Sequence, residues 1–123
     1  MQQRRSTPGR LLTADPGNPQ WLHELAWAYS GLAQGVAMEG DLEQAAALSR
    51  KTVALRDEVA RGAPASAQNQ TQTAVARMAL AIVLSQQGQH AQAPALQDEA
   101  VTISQRMAAA DADAGNRSLR RYM

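Results

Sequence analysis

The sequence has no cysteine and no phenylalanine, aromatics reach only 3%, and Lys51 is its one lysine. The missing thiol removes cysteine nucleophiles, thiolate metal sites and disulfides together. With so few aromatics, a core must be assembled from alanine and aliphatic side chains, which suits close-packed helices better than a sheet. No run of 18 or more apolar residues marks a membrane span, and no charged-then-apolar leader ends in a small-residue cleavage site. A cytoplasmic location is the default expectation, and the arginine-over-lysine bias beside abundant alanine points to a GC-rich bacterial genome.

Catalytic and ligand-binding patterns are equally scarce. GxxxxGK[ST], GxGxxG and GxSxG are all missing, which removes phosphate cradles and nucleophile elbows. His23 and His90 are the only histidines, too few for three converging metal ligands of that type, and they read as surface or cap residues. The segment DADAGN (Asp111 to Asn116) has a calcium-loop flavour, but its glycine comes one place early and Tyr122 stands where a bidentate glutamate is needed. A linker turn is the expectation there. Glu24, Asp57, Glu58, Asp98 and Glu99 fall among polar positions and read as a solvated face. No catalytic, cofactor-binding or metal site is expected, and the chain reads as a non-enzyme.

What is present is 45% hydrophobic content in 123 residues, enough for one domain with its own core. The formal charge of +1 hides a division. Arg4, Arg5 and Arg10 lie at one end and Arg117, Arg120 and Arg121 at the other, while six cations face eleven acids between them. Basic ends could touch phosphate, but the acidic body and the lack of an aromatic stacking platform weigh against nucleic acid. Self-association, the basic end of one chain against the acidic body of another, fits the asymmetry better.

The chain also repeats itself. A shift of 48 residues superposes Gly40 on Gly88, Ala45 on Ala93, Leu48 on Leu96, Val53 on Val101 and Ala60 on Ala108. Ala45, Leu48, Thr52, Leu55 and Val59 step by 3 and 4, as do Ala93, Leu96, Ala100, Ile103 and Met107, and each set predicts one buried helix face. Upstream of each glycine runs another helical pattern: Leu22, Leu25, Tyr29, Leu32, Val36, and then Thr73, Arg77, Leu80, Leu84 with Val75, Met78 and Ile82 beside them. Asn18–Pro19 predicts a helix start, Gly40 a left-handed helix end, and Asp41 with Gln44 a capping box. Pro94 is expected in the first turn of a helix beginning near Gln89 or His90.

These residues resemble the tetratricopeptide repeat family. Tyr29, Leu32, Ala33, Val36 and Ala45 fall on its pattern, as do Leu80, Ala81, Leu84 and Ala93, and Ala14 to Asn18 followed by Trp21 is similar to the linkers of a bacterial variant with extended hairpins. Ser49 and Gln97 stand at the family's second-helix aromatic position, Arg77 at its first-helix one. The resemblance implies an all-α fold of antiparallel hairpins stacked as a right-handed solenoid, with about four long helices and partial flanking ones. Residues 18–62 would form hairpin 1 and 66–110 hairpin 2. Residues 1–17 would close a preceding unit or form an arm, and 114–123 would open a partial third.

The implied function is binding of a protein or peptide in a groove lined by the first helices, with Trp27, Ser30, Gln34, Met38, Val75, Met78, Ile82 and Gln86 facing it, together with Ala37 and Ser85. Met78 and Ile82 could instead pack against a neighbouring helix. The Lys and Asn residues with which some family members clamp a C-terminal carboxylate are missing, so that mode is not expected. The alternative is a self-assembling unit of a larger regulatory protein, because two hairpins fall short of the usual three repeats.

Overall fold

The computed structural model describes residues 17–121, with the backbone alone at Ala114 and from Asn116 to Arg121. The expectations for Arg4, Arg5, Arg10, the 1–16 arm, Tyr122 and the terminal arginine side chains lie outside what is described. Four helices follow one another: α1 (Pro19–Met38), α2 (Leu42–Gly62), α3 (Ala67–Gln86) and α4 (Ala93–Arg121). Among the described residues there is no strand, and no helix is long and apolar enough to cross a membrane. Each helix packs on the next, which gives two antiparallel hairpins joined through α2 and α3. This is an all-α, tetratricopeptide-like helical repeat.

The caps explain where the helices begin and end. The Asn18 side chain accepts from the Gln20 and Trp21 amides at 2.8 and 3.2 Å, with Pro19 as first helical residue. Asp41 accepts from Gln44 N–H and Ser66 from Asn69 N–H. At the other ends Gly40 (φ +92°) and Gly88 (φ +85°) adopt the left-handed conformation. Around each, the same pair of bonds closes the helix: Gly40 N–H to Ala37 C=O with Asp41 N–H to Val36 C=O, and Gly88 N–H to Ser85 C=O with Gln89 N–H to Leu84 C=O. Both hairpins therefore turn on one Schellman motif, repeated 48 residues apart.

The core is small-residue packing around one large side chain. Ala45 and Ala46 of α2 meet Leu80, Val83 and Leu84 of α3, with Val36 and Ala37 of α1, Val53 of α2 and Leu96 of α4 against them. Across the repeat, Ala45 and Ala93 are both buried, and so are Thr52 and Ala100, while Leu48/Leu96, Leu55/Ile103 and Val59/Met107 are half-buried in step.

Four expectations need correction. The helix carrying Pro94 starts at Ala93, later than Gln89 or His90, after an extra turn; the proline still sits in the first turn. Helix α4 runs unbroken through Asp111 to Asn116, where a linker turn was expected, because the alanines around Asp111 and Asp113 favour helix and Gly115 costs it only about 1 kcal/mol. Leu32 of α1 is exposed, on a flank that no described element covers. The deepest line of α2 is Ser49, Thr52, Arg56 and Ala60, beside the Leu48–Leu55–Val59 stripe, because α3 closes over that flank.

Candidate functional site

Between α1 and α3, a groove of about 440 Å³ opens down to α2. Ser30, Ala33, Gln34, Ala37 and Met38 form the α1 wall, and Gln72, Val75, Ala76, Ala79, Ile82, Val83 and Gln86 the α3 wall. Ser49, Thr52 and Arg56 form the floor. Six of the eight expected groove residues lie on these walls: Ser30, Gln34, Met38, Val75, Ile82 and Gln86. Ala37 joins them; Ser85 does not. Trp27 shares the helical stripe of Gln34 and Met38, spaced by 7 and 4, but stands 70% exposed outside the lining. Met78 lies instead in a second, shallower depression between α3 and α4, with Val101 and Met107.

The groove is deep because of what its floor lacks. Ser49 occupies the position where the resembled pattern places an aromatic ring, and a hydroxymethyl group leaves that volume empty. The walls are mostly alanine and aliphatic, and Met38 (89% exposed), Val75 and Ile82 stand out at the rim. Exposed apolar side chains gathered along one concave surface differ from scattered surface leucines, and such patches mark contact surfaces.

Arg56 is the residue that sequence reasoning passed over. It is only 5% exposed, and its Nη1 donates to His23 Nδ1 at 2.7 Å. Guanidinium has no acceptor, so His23 must accept through an unprotonated Nδ1 and carry its proton on Nε2. His23 is thus a half-buried partner of Arg56 and not a free surface histidine. Burial pulls the Arg56 pKa below the ordinary arginine value. The available signal was the run Ser49, Thr52, Arg56, Ala60 at helical spacing, which puts polar and small residues on one line next to the leucines.

A second arginine holds the helices that frame the groove. Arg77 donates from Nη1 and Nη2 to the two Asp57 oxygens, each at 2.8 Å, and from Nε to Glu99 at 3.0 Å. Nη1 also reaches Thr73 C=O on its own helix at 3.2 Å. Hydrogen bonding to Asp57 raises its pKa against the opposing effect of burial. Asp57 and Glu99, expected on a solvated face, are in fact the α2 and α4 ends of this clamp. On the α1–α2 side, Lys51 sits over the Tyr29 ring, 5.4 Å from its centroid.

Among the described residues no group of three or more His, Cys, Asp or Glu is placed to hold a metal ion. The arrangement is a concave, mostly apolar surface with a cation beneath it. No curated protein and no solved structure matches the sequence. Residues 73–111, most of α3 and the first two-thirds of α4, match the model of the tetratricopeptide repeat. The second hairpin therefore carries a tetratricopeptide repeat, and the first hairpin follows the same repeating plan.

Proposed function

We propose that this chain is a protein-interaction module that takes an amphipathic helix or extended segment of a partner into the groove between α1 and α3. Tetratricopeptide repeats generally serve as protein-interaction modules, and the repeat matched in the second hairpin supports that coarse role. The observation that carries the finer reading is the groove itself, walled by Ala33, Ala37, Ala76 and Ala79 and rimmed by exposed Met38, Val75 and Ile82. An apolar partner face would bury these side chains, each large one worth roughly 1.5–3 kcal/mol if fully covered. A cytoplasmic setting in a GC-rich bacterium accompanies this reading, on composition alone.

Ser49→Phe tests it by restoring a ring to the floor. Peptides selected from a random linear library on the immobilised chain should bind this variant at least about tenfold more weakly, with helicity and melting temperature kept or raised, since the ring fills space that is already open. Peptides that bind wild type and variant alike would place recognition elsewhere and sink the reading.

A second reading, self-association, rests on one comparison within the repeat. Val53 packs against the core, whereas its counterpart Val101 is 51% exposed on α4, on the flank that α3 covers in α2. A further helix would close that flank, and a second copy could supply it. Light scattering after size exclusion should then show a concentration-dependent oligomer that Val101→Glu dissolves. A monomer at every concentration would dismiss this reading and leave the groove untouched.

A further inference from the structure

Arg56 is a guanidinium buried at the bottom of an apolar groove, and no carboxylate among the described residues reaches it. Among the described residues its only hydrogen-bond partner is the His23 ring, which accepts through Nδ1, uses one of five N–H donors and supplies no negative charge. The nearest acid in sequence, Asp57, points a helical step away and is held by both Arg77 nitrogens. Burying an unpaired cation is unfavourable, and a fold tolerates it poorly unless something at the site offsets it. Among the described residues the other buried arginine, Arg77, has two carboxylates, while Arg50 and Lys51 are exposed.

We propose that Arg56 reads an acidic side chain on the partner segment: the groove accepts an apolar stretch carrying one Asp or Glu, whose carboxylate reaches the floor and pairs with the guanidinium. This deepens the groove-binding reading and rests on it. Arg56 lies seven residues beyond Ser49 on α2, about 10 Å along the axis, and α1 and α2 are antiparallel. Met38, at the end of α1, is therefore at the far end of the groove from Arg56. Arg56 is level with its partner His23, fifteen residues before Met38, so the acid and an apolar anchor at Met38 should stand about 22 Å, or about four helical turns, apart. A side chain suits this better than a chain terminus. A terminal carboxylate at Arg56 would draw peptide backbone down between the alanine walls of Ala33, Ala76 and Ala79 and desolvate its polar groups. The flexible stem of a glutamate reaches the same place with its backbone at the rim.

The test uses the full chain and a random linear-peptide library displayed through the C-terminus of each peptide, so that no free terminal carboxylate is on offer. Enriched peptides should share one Asp or Glu set off from an apolar cluster. Resynthesised with an amidated end, a selected peptide should lose about tenfold or more in affinity when its acid is changed to the amide, the value of a charge-assisted hydrogen bond. On Arg56→Met, which keeps the length of the side chain, acid and amide versions should bind equally. If that variant does not fold, the acid-to-amide comparison on the wild-type chain decides alone. Apolar peptides enriched without an acid, or an acid whose removal changes nothing, overturn this assignment and leave the groove reading standing. A library that yields no binder overturns both.

Discussion

Leu84→Ala should cost about 3–4 kcal/mol, in the upper part of the range for a buried leucine, and lower the melting temperature by more than about 10 °C. Leu84 is the largest side chain with essentially no exposure, at 0%. It belongs to a cluster with Ala45, Ala46, Leu80 and Val83, against which Val36, Ala37, Val53 and Leu96 pack, so all four helices contribute to its surroundings. The cost of such a deletion depends on how far neighbours can move into the void. Here several neighbours are alanines fixed to helix backbone, with no flexible stem to swing inward. Urea unfolding followed by circular dichroism measures the loss. Met38→Ala, at a side chain 89% exposed, is the control and should stay within about 0.5 kcal/mol of wild type. A loss below about 1.5 kcal/mol for Leu84→Ala would mean that the helices close over the gap and that the core is less rigid than its alanine content implies.

The same alanine content decides how much could be read from sequence. Helix number, hairpin pairing and both glycine turns were legible, because the 48-residue shift and the 3–4 spacing are properties of the chain itself. The burial of Ser49, Thr52 and Arg56 was not, because hydrophobic periodicity follows the most apolar line of α2, and these residues are buried by where α3 lies. Their counterparts Gln97, Ala100 and Ser104 make the point: on α4, where no further described helix follows, Gln97 and Ser104 are exposed and only Ala100 is buried. One repeat position has two environments, set by the neighbour. The groove walls were legible to the extent that they follow the first-helix stripe. Trp27 and Met78 follow the stripe as well, and the structure sets them outside the groove, Met78 because it turns toward α4. The ends of α4 were misjudged for local reasons: its start was expected near Gln89 or His90, before an extra turn that precedes Ala93, and the Asp/Gly-bearing segment read as a turn although a long alanine-rich helix tolerates it.

Arg77→Ala should destabilise the chain by about 2–3 kcal/mol, below the 3–5 kcal/mol of a fully buried pair because Asp57 keeps some contact with water. The Arg77 side chain is 16% exposed and joins α2, α3 and α4 at one point, in the place where the resembled repeat pattern carries an aromatic ring. A ring would fill this junction by volume alone. The guanidinium fills it while fixing direction, since its two parallel bonds to Asp57 hold only at one rotation of α3 against α2. Its two carboxylates should contribute unequally. Glu99→Gln, at a side chain 56% exposed, should cost under about 0.5 kcal/mol, whereas the Arg77–Asp57 pair should show a coupling of about 1–2 kcal/mol in a double-mutant cycle. Replacing both partners with leucine should recover much of the stability lost in Arg77→Ala, since the paired charges repay little beyond their own desolvation. What the leucine pair should not recover is the fixed rotation. Because α3 forms one wall of the groove and α2 its floor, that variant should fold and yet bind groove peptides more weakly than wild type. Equal binding by the leucine pair would show that packing alone sets the groove and that the arginine contributes stability only.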